Sequence, residues 1–182
     1  RYWPELSSDC RLMNKLLRDL TDYSMSDQLT KQRSDLCNLL RRAYLSCLPL
    51  TEGTNKTLTY TSRVSCAYMP LDSPKMMEAL LNLIVNALDA VSDNGSVQII
   101  LTKSNEQFVV SIIDDGCGIA PKQLLTIFHP FTTTKPDGTG LGLPVAKRII
   151  EGHGGHIRVS SAPNQGATFT FLLPCSFSSD KK

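Results

Sequence analysis

Two glycine-rich turns constrain this chain more than any other feature. Asp114-Asp115-Gly116-Cys117-Gly118 follows an apolar, β-branched run, and Gly138-Thr139-Gly140-Leu141-Gly142 directly precedes a helical pattern. Glycine lets the backbone approach a flat ring or an anion closely, because it carries no Cβ atom. A third piece lies upstream, where Asn82 and Asn86 stand one helical turn apart. Together the three pieces predict a site for a nucleotide and its metal ion.

The composition is that of an ordinary packed domain. The chain has 182 residues, of which 41% are hydrophobic, and this suits one domain or one domain with an appendage. Lys and Arg number 19 against 17 Asp and Glu, a net charge of +2, without the basic stripe of a nucleic-acid surface. No window approaches the ~20 apolar residues of a membrane span, and no signal peptide precedes the chain. We therefore expect contact with neither nucleic acid nor membrane.

The cysteine and histidine spacings argue against a zinc site or a disulfide framework. The six cysteines are widely and irregularly spaced, and none forms a C-x-x-C pair. Free thiols in a reducing cytoplasm are the expected state, and Cys117 is interpreted as a filler in its turn. His153 and His156 are separated by two glycines with no helical pattern across them, so we expect no metal site there.

The N-terminal third predicts two helices and strands. Apolar residues over 5–23 step by four and three, a narrow seam that favours a helical bundle over a helix docked on its own domain. A second helix is predicted at about 35–48, with Ser34 as its N-cap and Pro49 ending it. Residues 57–68 alternate loosely between apolar and polar side chains and predict strands.

A longer helix is predicted from the Ser73-Pro74 pair, a capping hydroxyl followed by proline at the first helical position, to about residue 92. Its predicted apolar side consists of Met77, Leu80, Leu81, Ile84, Leu88 and Val91. Its predicted polar side carries Lys75, Glu78, Asn82, Asn86 and Asp89. The Asp93-Asn94-Gly95 turn should end it.

The remaining chain alternates strands and short helices around loops. The predicted elements are a hairpin of 97–102 and 108–113, a short helix after Pro121, a loop over 129–140, a helix from Leu141 to Gly152, and a last strand pair of 157–160 and 168–173. We expect the tail, 176–182, to be disordered.

Each motif has a chemical interpretation and an ordinary alternative. An amide oxygen such as that of Asn86 is a ligand that Mg²⁺ accepts beside phosphate oxygens, or else part of a solvated helix face. Asp114 can accept a hydrogen bond from an exocyclic amine, or simply end a hairpin. Residues 138–142 open a helix, where freed amides and the helix dipole favour an anion, or else form a flexible loop. Lys135 could reach a terminal phosphate, or be a solvated lysine.

In order and role, these motifs resemble the boxes of the GHKL superfamily, and in detail those of bacterial sensor histidine kinases of the nitrogen-regulator-like group. The matching segments, within about 34–174, are Asn82–Ala90 (N box), Asp114–Gly118 (G1 box), Ile127–Phe131 (F box), Gly138–Leu143 (G2 box), Glu151–Gly155 and the final Gly166–Phe169. The second glycine turn is not a Walker loop, because no Gly-Lys-Ser/Thr follows it.

The resemblance implies a two-layer α/β sandwich, the Bergerat-type ATP-binding fold, with a mixed sheet covered by helices on one face. It implies ATP and Mg²⁺ as cofactors, with Asn86 on the metal, Asn82 and Lys135 in catalytic roles at the phosphates, and 129–140 as the ATP lid. The implied ATP-binding residues are Asn82, Asn86, Asp89, Asp114, Gly116, Gly118, Ile119, Phe131, Lys135, Thr139, Gly140, Leu141, Gly142, Leu143 and Thr168.

The resemblance also implies three parts and a cellular role. Residues 1–30 would hold the second helix of a dimerisation and phosphoacceptor hairpin with its linker, 31–175 the catalytic domain, and 176–182 the tail. The implied partners are a second copy, through the complete hairpin, and a response-regulator receiver domain, in two-component signal transduction in the cytoplasm. No histidine precedes His129 and none is followed by an acidic residue. We therefore expect the acceptor histidine to lie upstream of residue 1 or to have been removed, and the chain alone not to phosphorylate itself.

Two other functional hypotheses remain beside a histidine kinase. One is an ATP hydrolase or ATP-dependent clamp of the same superfamily, and the other is a non-catalytic, anti-sigma-type regulator. The family's hydrolases carry glutamate at the position of Asn82, where it accepts a proton from the attacking water. Asn82 cannot accept that proton, whereas transfer to an imidazole needs no such base. Asn82 and the seam over 5–23 therefore favour the kinase.

Overall fold

A five-stranded mixed sheet forms the centre of the computed structural model, which describes residues 29–135 and 138–175. In chain order the strands are β1 (Gln32–Asp35), β2 (Thr57–Ser62), β3 (Tyr68–Leu71), β4 (Ser96–Ser104), β5 (Gln107–Asp114), β6 (His156–Ser161) and β7 (Ala167–Pro174). The central sheet has the order β2-β4-β5-β7-β6, with β2 parallel to β4 and the other neighbours antiparallel. Strands β1 and β3 form a separate antiparallel pair.

Helices cover one face of this sheet. They are α1 (Leu36–Cys47), α2 (Ser73–Ala90), the short α3 (Pro121–Leu124) and α4 (Gly142–Gly152), with a 3₁₀ turn at Leu48–Thr51 after α1. Buried and less buried residues alternate along β5 and β7, and the buried set joins the buried sides of α1, α2 and α4 in one core. The predicted α/β sandwich is therefore confirmed. Within the described ranges, no helix is both long and apolar enough to span a bilayer.

Helix α2 buries one side and presents amides on another. Its buried residues are Met76, Ala79, Leu80, Leu83, Ile84, Ala87 and Leu88. Each fully buried leucine contributes about 1.5–3 kcal/mol relative to an exposed one. The buried stripe is centred differently from the prediction, since Met77 and Leu81 are only half-buried while Met76 and Leu83 are buried. Asn82 and Asn86 remain accessible on the neighbouring side.

Both predicted N-caps are wrong by one residue. Asp35 caps α1 by accepting the backbone N–H of Cys37 at 3.0 Å, and Asp72 caps α2 by accepting that of Lys75 at 3.1 Å. In each case the aspartate is the last residue with extended backbone and has a carboxylate within reach of the first turn. Ser34 lies in strand β1, and Ser73 is already helical and donates to the Ser34 hydroxyl.

Other boundaries differ modestly from the predictions. Residues 63–67 belong to no strand, so the predicted stretch 57–68 contains β2 and only the first residue of β3. Helix α1 ends at Cys47, and Pro49 lies in the 3₁₀ turn that follows. Strand β1 was not predicted. The predicted seam helix at 5–23 and the tail at 176–182 lie outside the described residues.

Asp72 and His153 join the start of the described chain to two helices. Asp72 Oδ2 accepts the backbone N–H of Thr30 at 2.9 Å, and the backbone N–H of Asp72 donates to His153 Nε2 at 2.9 Å. His153 Nδ1 lies 2.7 Å from the carbonyl oxygen of Ile149 in α4. Because Nε2 accepts, the proton of the neutral ring sits on Nδ1. Burial lowers the pKa of His153, which favours this neutral form.

Candidate functional site

Asp114 is a buried carboxylate at the end of β5. It is 5% exposed, and its Oδ1 accepts the backbone N–H groups of Gly116 at 3.0 Å and Ala167 at 3.1 Å. Burial raises the pKa of Asp114, and the two backbone hydrogen bonds oppose that rise. No hydrogen bond from the described residues reaches Oδ2. The side chain thus keeps one oxygen for a donor that the fold does not supply.

The turn after Asp114 requires glycine for steric reasons. A Cβ atom on Gly116 would lie 2.4 Å from the carbonyl oxygen of Ala90 at the end of α2. Gly118 has φ +68°, and a Cβ there would lie 2.0 Å from the carbonyl oxygen of Ala162. The backbone N–H of Cys117 also donates to Ala90 at 3.1 Å. The turn is therefore packed directly against the end of α2.

Lys135 connects the loop after α3 to the polar side of α2. Its Nζ atom donates to Asn86 Oδ1 at 3.1 Å and to Asp89 Oδ2 at 2.7 Å. The Lys135 and Asp89 side chains are 43% and 51% exposed. Two oxygens of α2 therefore converge on one cation. Amide and carboxylate oxygens are also the donors that Mg²⁺ prefers, so this pair fits a magnesium ion chemically.

Asn82, one turn before Asn86, faces the start of α4. A Cβ atom built on Gly142 would lie 3.5 Å from Asn82 Oδ1. The N-cap residue of α4, Leu141, provides no side-chain cap, although the first N–H groups of a helix have no partner within it. The N–H groups at the start of a helix and the positive end of the helix dipole together favour an anion. A negatively charged group bound there would lie beside Asn82.

The ends of the loop over 131–140 are held together. The backbone N–H of Phe131 donates to the carbonyl oxygen of Gly140 at 3.0 Å. Gly140 has φ +67°, and a Cβ there would lie 2.5 Å from the Phe131 carbonyl carbon. Phe131 itself has φ 64° and is 61% exposed. The Thr139 hydroxyl accepts the backbone N–H of Leu141 at 3.4 Å. The hydrogen bond between Phe131 and Gly140 fixes where the loop leaves and rejoins the fold.

The boxes and their arrangement agree with the comparison against known families. Residues 71–176 match the model described as histidine kinase-, DNA gyrase B- and HSP90-like ATPase. The chain belongs to this ATPase family. The sensor histidine kinase ZraS of Salmonella typhimurium is 32% identical over 93% of this chain and 37% of its own length. The chain thus spans little more than a third of that curated relative.

Solved structures show the same fold. The catalytic domain of the histidine kinase ThkA, solved without nucleotide, has 29% identity and a TM-score of 0.73, over 80% of this chain and 96% of that one. Full-length ShkA in complex with AMPPNP has 26% identity and a TM-score of 0.81, over 93% of this chain and 36% of that one. The histidine kinase-like ATPase fold thus covers most of the present chain.

Thr168 is placed differently from the other predicted residues of this ATPase-family site. In the β5–β7 register Asp114 pairs with Ala167, whereas Thr168 pairs with Ile113. Successive residues of a strand point to opposite faces, so the Thr168 side chain lies on the face away from Asp114 and the helices. Ile119 and Leu143 are half-buried and pack against the core. We therefore leave Thr168 out of the proposed site.

Sequence reasoning missed Ser161, a support of the turn after Asp114. Its hydroxyl accepts the backbone N–H of Ile119 at 2.8 Å and donates to the carbonyl oxygen of Gly166 at 2.6 Å. The hydroxyl thereby joins the G1-box turn to the turn before β7. A single serine at the end of β6 carries no sequence signal, because only the pairing of β6 with β7 brings it there.

Proposed function

We propose that this chain is the catalytic, ATP-binding part of a sensor histidine kinase, which donates the γ-phosphoryl group of ATP to a histidine outside this chain. The observation that carries the proposal is the position of Asn82 beside the start of α4, where its amide faces Gly142. A hydrolase of the family would need a proton acceptor there. Relatives named sensor histidine kinases support the same conclusion.

The proposed roles follow from the chemistry of each group. Asp114 Oδ2 accepts a hydrogen bond from the exocyclic amine of adenine. Gly116 and Gly118 let the adenine ring approach the backbone. The first N–H groups of α4 and the residues over 138–142 hold phosphate oxygens, beside Asn82. Asn86 Oδ1 would hold Mg²⁺, which when bound neutralises charge on the phosphates. Lys135 provides a further positive charge near the terminal phosphate.

The proposed partners follow from the proposed activity. The phosphorylated histidine would pass its phosphoryl group to an aspartate of a response-regulator receiver domain. A second copy would join through the complete helical hairpin, and the reaction would take place in the cytoplasm, where ATP is available. The names of the relatives support the histidine kinase activity from which these partners follow.

Radiolabelling of the full-length gene product with [γ-³²P]ATP tests the proposal. We expect label that is lost in acid but retained in base, as phosphohistidine requires, and loss of that label in the Asn86→Ala variant. The present chain should bind ATP by calorimetry while releasing phosphate slowly. Rapid phosphate release without any protein label would instead establish the hydrolase or clamp as the correct function.

A further inference from the structure

Lys135 occupies the oxygen that the proposed function assigns to a metal ion. Its Nζ lies 3.1 Å from Asn86 Oδ1 and 2.7 Å from Asp89 Oδ2. We propose that Lys135 and a divalent cation are alternative occupants of the Asn86 oxygen, and that Asp89 is the positioning residue that holds Lys135 there. The inference rests on the proposed function, which assigns the metal ion to the Asn86 oxygen and brings it in together with a nucleotide.

The distances predict that the two occupants compete. A magnesium ion lies about 2.0–2.1 Å from each oxygen ligand. With Nζ also 3.1 Å from the Asn86 oxygen, the two cations would be at most about 5 Å apart, and closer for any bent arrangement. Like charges at this separation repel each other, and the neutral amide supplies no charge to offset the repulsion. We therefore expect a metal ion to displace Lys135 from Asn86.

Asp89 gives the lysine its position when the metal is absent. It is the negatively charged partner of the pair and makes the shorter contact, 2.7 Å against 3.1 Å. Asp89 lies three residues after Asn86 on α2, so the two side chains lie close together on the same helix. Asp89 can keep Lys135 near the site after the amide oxygen is released. The lysine is then available for phosphate oxygens that arrive with the metal.

The contact can be tested without nucleotide by NMR of the Asn86 side-chain amide. Lys135→Met should shift the Asn86 ¹H–¹⁵N signals, and Asp89→Asn should shift them in the same direction because it frees the lysine. Asp89→Glu should restore the wild-type signals at least in part. Lys122→Met is the matched control, since Lys122 is exposed on α3, and should leave them unchanged. Asn86 signals that stay the same in Asp89→Asn would overturn the positioning role.

Metal competition is tested with ADP bound, because ADP lacks the terminal phosphate that Lys135 would contact. Titration with Mn²⁺, followed by paramagnetic broadening of the Asn86 signals, should show about two- to five-fold tighter binding in Lys135→Met, the size that an exposed ion pair supports. Equal or weaker binding in that variant would refute the competition. Failure of ADP itself to bind, measured first by calorimetry, would instead count against the proposed function.

Discussion

The Oδ1 atom of Asp114 accepts the backbone N–H of Ala167 at 3.1 Å, although the two residues lie 53 positions apart. The pairing of β5 with β7 produces this contact, because Asp114 and Ala167 are direct partners in that register. A shift of either strand by one residue would turn its side chains to the other face. The proposed adenine contact is thus fixed by the sheet rather than by a loop.

Substitution of Asp114 should weaken ATP binding. Asp114→Ala removes the carboxylate that we assign to the adenine amine, a charge-assisted hydrogen bond of about 1.5–3 kcal/mol, or roughly a 10–100-fold change in affinity. Isothermal calorimetry measures the change. Asp115→Asn is the control, because Asp115 is exposed and its carboxylate instead accepts from Ser96. Unchanged affinity in Asp114→Ala would show that the adenine assignment is wrong.

The pH dependence of stability should report the burial of the same carboxylate. Because burial raises the pKa of Asp114 in the folded chain, its ionisation costs free energy of folding. At pH values below the unfolded pKa of about 3.9 the carboxyl is protonated in both states, so the cost is absent. The free energy of unfolding then falls as the pH rises from there through the folded pKa. Urea unfolding between pH 4 and about 8 should show wild type losing stability relative to Asp114→Asn. Parallel curves would contradict this expectation.

Gly118 should tolerate no side chain. In Gly118→Ala, a Cβ atom 2.0 Å from a backbone oxygen adds to the strain of φ +68°, so we expect a loss of stability above about 2 kcal/mol. Gly53→Ala separates the two causes, because Gly53 has φ +73° with nothing within 4 Å of the added atom. That variant should lose only about 1 kcal/mol in urea unfolding. Equal losses would show that backbone conformation alone governs the turn.

His153 should stabilise the fold only while it is neutral. His153→Ala leaves the backbone N–H of Asp72 without its acceptor, at a cost of about 1–3 kcal/mol. Because burial lowers the pKa of His153, its stabilisation is complete above the unfolded pKa of about 6.5 and is lost as the pH falls toward the folded pKa. Thermal unfolding from pH 8 to 5 measures both effects.

His156 provides the matched control for that experiment, because it is exposed three residues further along the chain. His156→Ala should leave both the stability and its pH dependence close to wild type. If the two variants behaved alike, the buried hydrogen bond of His153 would contribute nothing to the fold.

The sequence predicted most element positions because these depend on local patterns, whereas the layers were implied by the resemblance to a known family. Apolar, β-branched runs predicted the β4–β5 hairpin, and the placing of apolar residues on one side predicted helices α2 and α4; all three were confirmed. The N-caps were missed by one residue because Ser and Asp are comparable caps. Only the position of the first helical turn decides between neighbouring Ser and Asp residues.

Contacts between distant segments could not be predicted from the chain. Nothing in the sequence indicates that Lys135 lies against Asp89, or that Ser161 holds Ile119, since each depends on how separate elements pack. The face of Thr168 is a similar case, because it follows from the β5–β7 register. By contrast, the proximity of Asn82 to the start of α4 was implied by the resemblance and is present in the structure.

The crowding around Asp114 has an evolutionary consequence. Added Cβ atoms at Gly116, Gly118 and Gly166 would each collide with a backbone oxygen. The fold therefore requires glycine at these positions, whether or not the site is active. Asn86 and Lys135 face no comparable constraint, because the hydrogen bonds between their side chains and Asp89 lie at an accessible surface of the described chain. A descendant that lost the proposed phosphoryl transfer would therefore keep the glycines of these turns, while the residues at positions 86 and 135 would be free to change. Among relatives, the residues at those two positions would distinguish active from inactive homologues better than the glycines would.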